Sequence, residues 1–177
     1  LVVIFYIFEC LTKKIIMNKL IYILMSLIFI VSCSSTPCVE DSNGFTPRDN
    51  KIKIGTQESV DVVLELDKYW SSKDFESMRP LLADSVYVSF AEGEKYNTAD
   101  AFIQGLSNQN ENYDWKMTWA FAIKDDNPEI TAEWVNAGFE VTKTDSTGLQ
   151  QKSLINDWYL VDQGKVVRFF NVKTAWE

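Results

Sequence analysis

Apolar residues along this chain fall into three regimes. From Leu20 to Val31 they run almost unbroken for about twelve residues. From Thr56 to Asn108 they recur at helical spacing, and from Trp115 to Val172 they alternate as strands do. In the helical part Val60, Val63, Leu64 and Trp70 mark one face, which Val62, Leu66 and Tyr69 widen. Asp67 falls at the edge of that face and is read as solvated. Thr56 is placed to cap this helix, with Glu58 in its first turn. Ser71-Ser72-Lys73-Asp74 ends it. Phe75–Leu82 predicts a second, short helix, with Pro80 making its end irregular. Residues 85–90 (SVYVSF) read as a strand and Ala91–Glu94 as a turn. A third helix is expected over Ala99–Asn108, with Phe102, Ile103 and Leu106 on one face.

The alternating part predicts a meander of strands. In Trp115–Ile123 the odd positions are Trp115, Met117, Trp119, Phe121 and Ile123, a strict period of two with one large apolar face. Asp125–Pro128 turns into a strand over Ile130–Thr142. Its large apolar positions change parity after Asn136, from Ile130 and Trp134 to Phe139 and Val141, which with Gly138 predicts a bulge in that strand. Glu133, on the alternate face from Trp134, is read as facing water. Leu154–Val161 and Val166–Val172 flank Asp162-Gln163-Gly164-Lys165 and predict a hairpin. Helices first and strands last is an α+β layout, with helices packed on one face of a curved sheet.

Composition narrows what such a domain does. The 177 residues carry a net charge of −8 and no histidine. An acidic chain does not attract nucleic acid, so no nucleic-acid partner is expected. Without histidine the commonest general base and zinc ligand are missing, and no cysteine pair or calcium-spaced acidic loop replaces them. No metal and no cofactor are expected. Cys10, Cys33 and Cys38 give no intrachain disulfide.

Lys19 and the run from Leu20 to Val31 suit a signal-peptide core and are short of a membrane span. Ile30-Val31-Ser32-Cys33 resembles the bacterial lipoprotein cleavage box, which implies that residues 17–32 are removed and Cys33 is lipidated. Residues 1–16 are then read as translation upstream of a start at Met17. The 32 residues before Cys33 hold three lysines and one acid, so the remaining chain is more acidic still. Residues 33–55, rich in Ser, Thr, Pro, Asn and Asp, are expected to be a flexible tether. Residues 56–177 form the domain, anchored by lipid at the bacterial cell envelope outside the cytoplasm.

Lys73-Asp74-Phe75 with Leu81-Leu82-Ala83-Asp84-Ser85-Val86, the helix at Thr98–Leu106, and Asp157-Trp158-Tyr159 before Gly164-Lys165-Val166-Val167 resemble the SnoaL-like branch of the nuclear transport factor 2-like superfamily. The resemblance covers roughly residues 56–174. It implies a cone whose bent antiparallel sheet wraps the N-terminal helices around a pocket and, in many members, a homodimer through the outer sheet face. The superfamily includes ketosteroid isomerase, polyketide cyclases, dehydratases, epoxide hydrolases and non-catalytic binding domains, so a shared fold does not name the chemistry. Against the isomerase, Asp157 falls where a protonated acid sits, while the base position falls on Phe90 and the tyrosine position near Leu66.

Asp157 is thus the candidate catalytic acid or base. Trp70, Tyr87, Trp119, Trp134, Asn136 and Tyr159 are the candidate pocket lining, since indoles with a few polar groups describe a site for an apolar ligand. Alternation leaves open which face of Leu154–Val161 lines the pocket, because both carry apolar residues. Three functions stay open: binding of a small apolar molecule in the cone, a cofactor-independent isomerase, cyclase or lyase using Asp157, and a protein-interaction module using the outer sheet face.

Overall fold

The structure is a computed structural model that describes residues 42–109 and 112–175. The expected leader (17–32), the upstream residues 1–16 and all three cysteines, Cys33 among them, lie outside the described residues. The elements in chain order are β1 (Ser42–Phe45), β2 (Lys51–Ile54), α1 (Gln57–Ser71), α2 (Phe75–Met78) running into a 3-10 turn (Arg79–Leu81), β3 (Leu82–Ser89), β4 (Lys95–Tyr96), α3 (Ala99–Ser107), β5 (Asn112–Asp125), β6 (Glu133–Thr144), β7 (Gln150–Asp162) and β8 (Lys165–Ala175).

The eight strands form one sheet in the order β1-β2-β5-β6-β7-β8-β3-β4, and the helices pack on one of its faces. This is the α+β layout expected. One pair departs from the antiparallel expectation: β3 lies parallel to β8. No hairpin joins them, because the whole β5–β8 meander intervenes. The β7–β8 loop is two residues, Gln163 at φ 49° and Gly164 at φ 76°, the left-handed pair that matches strand twist.

Part of the expected tether is folded. Residues 42–54 contain the hairpin β1–β2, and Ile52–Ile54 pair with Ile123–Asp125 at the edge of β5. The alternating Lys-Ile-Lys-Ile stretch is only four residues long, and the polar turn residues around it mask the strand signal. The chain then turns at Gly55, whose N–H donates to the Ala122 carbonyl at 2.8 Å, and enters α1 at Thr56.

That junction corrects the reading of Glu133. It is buried, and its Oε2 accepts from the Thr56 N–H at 2.7 Å and the Thr56 hydroxyl at 2.9 Å. Burial pushes its pKa up, but these donors together with Lys124 hold it below the usual glutamate value. The first residue of β6 therefore ties α1 to the sheet.

The predicted bulge exists in the partner strand. Met117 pairs with Phe139 and Trp119 with Gly138, which leaves Thr118 extra in β5, while β6 runs in regular register against β7 from Glu133 to Thr144. The parity change therefore belongs to β5. Trp115 and Met117 pack against the core, and so do Ala120 and Ala122, whereas Trp119 and Phe121 are 42% and 48% exposed on the outer face. In β6 it is Val135, Ala137, Phe139 and Val141 that face inward.

Inside the curve, Val63 and Leu66 of α1 and Phe102 and Leu106 of α3 meet Val135, Tyr159, Val161 and Phe169 of the sheet. Each such side chain contributes about 1.5–3 kcal/mol relative to exposure. Outside, Trp134 packs edge-on against Trp158 and Phe170, with ring centroids 6.3 and 5.6 Å away.

Candidate functional site

Between α1 and the inner sheet face lies a cavity of about 1270 Å³. Two elements position its acids. On α1, Val60, Val63, Asp67 and Trp70 recur at three- and four-residue intervals and so share a face. Trp70 is half-buried and meets Trp115, Phe90 and Phe169 edge-on at 6.4, 6.3 and 6.1 Å. On β7, the period of two puts Ile155, Asp157 and Tyr159 on the inner face beside Phe139 and Phe169. This settles the face of the strand that alternation left open.

Asp157 is 7% exposed. Its Oδ2 accepts from the Tyr159 hydroxyl at 2.7 Å, and its Oδ1, also buried, has no partner among the described residues. Burial, opposed by the Tyr159 hydrogen bond and aided by the nearby Asp67 charge, pushes its pKa up to about 7. Tyr159 is held well above the ordinary tyrosine value, by burial first and then by the Asp157 charge.

Asp67 corrects the sequence reading. It lines the cavity, and its Oδ1 accepts from the Trp115 indole N–H at 2.8 Å. Burial raises its pKa, partly offset by that hydrogen bond. The three- and four-residue spacing that aligns it with Val63 and Trp70 is the signal that places it inward. At the rim, Lys173 donates to Glu92 at 2.8 Å and the Asn171 side chain accepts from the Ala91 N–H at 2.7 Å, which ties β8 to the turn after β3.

Of the sequence-predicted lining, Trp70, Tyr159 and Asp157 meet in the cavity. Four others do not line it. Trp119 stands on the outer face against Gly138, and Trp134 packs outside with Trp158. Tyr87 stacks under the Arg168 guanidinium, 5.5 Å from the ring centroid. Asn136 is buried behind the cavity wall: its Oδ1 accepts from the Trp119 indole at 3.1 Å and its Nδ2 donates to the Asp157 carbonyl at 3.2 Å. The Thr118 bulge and the regular register of β6 cause the misplacement of Trp119, Trp134 and Asn136. The lining missed by sequence includes Asp67, Trp115, Phe139 and Phe169, and also Phe90 at the position where the isomerase resemblance would put a base. Leu66, where it would put a tyrosine, is core.

Chemically, the site offers a carboxyl that titrates near neutrality, on the wall of a cavity lined by both aromatic and polar side chains, with one buried oxygen unpartnered among the described residues. Such a group can accept a hydrogen bond or a proton from a ligand, or donate to a carbonyl oxygen when protonated. No group of three or more metal-ligating side chains occurs among the described residues.

No protein-family model matches the chain, and no curated protein matches it in sequence. Solved structures do match in shape. A ketosteroid isomerase-like protein from Erwinia carotovora atroseptica aligns at TM-score 0.55 and 9% identity, over 68% of this chain and 96% of that one. A nuclear transport factor 2-like protein from Burkholderia xenovorans aligns at 0.53 and 13%, over 68% and 92%. An LEH-like epoxide hydrolase from M. tuberculosis aligns at 0.52 and 12%, over 67% and 84%. At these identities the likeness is one of fold: the chain has the nuclear transport factor 2-like α+β cone.

Proposed function

We propose that this protein binds a small, mainly apolar molecule in the cone cavity, with the Asp157 carboxyl as its principal polar contact. The observation that carries this reading is the buried Oδ1 of Asp157, which has no partner among the described residues, on a side chain that lines the cavity with Trp70, Trp115 and Phe169. A buried carboxylate oxygen without a donor costs about 1–3 kcal/mol, and a ligand that supplies the donor recovers it. Tyr159 holds the carboxyl in place from its own strand, and Asn136 steadies the backbone of Asp157 from behind. Trp70, Trp115 and Phe169 supply apolar contact.

The test is a thermal-shift and tryptophan-fluorescence screen of apolar carbonyl compounds, alcohols, amines and sterols. A ligand at roughly 100-fold its dissociation constant stabilises by about 2.7 kcal/mol. Its affinity is expected to fall on Asp157→Asn. A hit indifferent to Asp157 overturns the assigned contact.

A second reading, a cofactor-independent isomerase, cyclase or lyase, is favoured by the position of Asp157 near pH 7, where it can both take and return a proton. In it the Asp157 carboxylate takes a proton α to a carbonyl and returns it elsewhere on the same molecule. Asp157→Asn would then abolish turnover and leave binding, and α-proton exchange of a bound ketone in D₂O would report the step.

Two further expectations belong to this proposal. The stretch from Met17 to Cys33 supports a lipid-anchored protein of the bacterial envelope, which labelled-palmitate incorporation lost on Cys33→Ser would test. The apolar outer face, with Trp119, Phe121, Trp134, Trp158 and Phe170, supports association with a second copy.

A further inference from the structure

Of the four acids that line the cavity, Glu92 and Glu94 belong to the turn after β3, and the other two face from separate walls, Asp67 on α1 and Asp157 on β7. We propose that its ligand is an organic monocation, an amine on an apolar skeleton, whose ammonium group sits between these two carboxylates. This rests on the ligand-binding reading above and names the ligand class.

The first argument is charge. The ion pairs of the described residues that bear on this region join Lys173 to Glu92 at the rim and Lys124 to Glu133 at the base of α1; Arg79 serves Asp84 and Asp100 elsewhere. None of them involves Asp67 or Asp157. Lys143, also on the cavity wall, has its Nζ over the Tyr113 ring at 5.4 Å. The groups acting on Asp157 are Tyr159 from its own strand and Asp67 from α1; the one hydrogen bond acting on Asp67 comes from Trp115 on β5. Lys143, Lys152 and Lys173 all line the cavity, yet no lysine is among the groups acting on Asp67 or Asp157, so two carboxyls that repel each other lack a cation that compensates both.

The second argument is donor count. A carboxylate accepts about four hydrogen bonds. Asp157 receives one, on Oδ2, and its buried Oδ1 receives none, while Asp67 receives the indole N–H. An alcohol brings one donor and no charge. An ammonium brings up to about three donors together with the charge that both acids need. The rings of Trp70 and Trp115 also line the cavity, and an aromatic ring adds attraction for a cation and none for an alcohol. A divalent metal fits less well, because the hard cations take about six or more oxygens and no group of three or more metal-ligating side chains occurs among the described residues.

Matched probes decide it: 1-adamantylamine, 1-adamantanol and 2-adamantanone, with the 2-aminoindane, 2-indanol and 2-indanone set, titrated calorimetrically at pH 6 and pH 8. The amines should bind at least about tenfold tighter than the alcohols at pH 8. They should also bind tighter at pH 8 than at pH 6, as Asp157 loses its proton. Asp67→Asn and Asp157→Asn, each first shown folded by circular dichroism, should each weaken the amine about tenfold and leave the alcohol within about threefold. An alcohol or ketone that binds as tightly as its amine overturns the cation inference and leaves the binding reading standing. Failure of all six compounds to bind overturns both.

Discussion

Asp157 is a side chain whose position works against the stability of the fold. Its pKa rises from the ordinary aspartate value of 3.8 to about 7 on folding, so between these values the folded protein holds a proton that the unfolded chain releases. Its contribution is therefore fully present below about pH 4 and is lost as pH rises toward 7, at about 1.4 kcal/mol per unit. Asp157→Asn should raise the unfolding free energy by about 1–3 kcal/mol at pH 8 and change it little near pH 4. Urea denaturation at the two pH values reads this, and pH profiles that run parallel for the two proteins would contradict it. Glu133 has the opposite sign. It is held below the ordinary glutamate value, so its contribution is present above about pH 4.5 and lost as pH falls. Glu133→Ala, which strips two donors at Thr56 of their acceptor, should cost about 2–3 kcal/mol, and Glu133→Gln, which keeps one carbonyl oxygen, about half that. Equal losses in urea unfolding would show that Glu133 acts through packing alone.

Thr118 decides which side chains of β5 see the cavity. As the extra residue opposite the Phe139–Gly138 step, it puts Trp115 inward and Trp119 outward although the two are an even number of residues apart. Deleting Thr118 would remove the bulge and leave Met117 opposite Phe139 and Trp119 opposite Gly138, each on the face it already has, whereas inserting a residue between Ala120 and Phe121 would turn one end of the strand inside out. The insertion should unfold the domain or lower its Tm by more than about 10 °C, whereas Thr118→Ala, losing only the hydroxyl bond to the Gly138 carbonyl, should cost about 1 kcal/mol. An insertion variant as stable as the parent would contradict this register. This element also shows where sequence stops being legible. The helices, the Thr56 cap and the closing hairpin are encoded by local pattern and read correctly, while the face that Asp157 takes is left open by a strand apolar on both sides. A bulge leaves the alternation Trp115, Met117, Trp119, Phe121 untouched while reversing its meaning, so Trp119 and Asn136 were assigned to the pocket. Glu133 is a polar residue whose partner lies 77 residues away along the chain, where no local pattern reaches; Asp67 shares the helical spacing of Val63 and Trp70, but its partner Trp115 lies 48 residues on.

Across the whole molecule, the curved sheet has two faces with different tasks. The inner face encloses the cavity, and the outer one carries cross-strand rows such as Phe121-Asn136-Trp158-Phe170. Aromatic area of this kind on an acidic protein suits contact with an apolar surface rather than a charged one. If a second copy covers it, sedimentation velocity should find a dimer that the double variant Trp119→Ser, Phe121→Ser converts to monomer; a parent protein that stays monomeric at all concentrations would contradict the dimer. The cone also explains why a carboxyl near neutrality survives in a marginally stable domain: the surrounding aromatic core offsets its cost. The most direct test of the site is a ¹³C NMR titration of the aspartate side-chain carboxyls, with Asp157→Asn identifying the resonance. Asp157 should titrate with a midpoint near 7. A midpoint near the ordinary 3.8 would mean a solvated carboxylate, and the buried, unpartnered polar contact on which the proposed function rests would not exist.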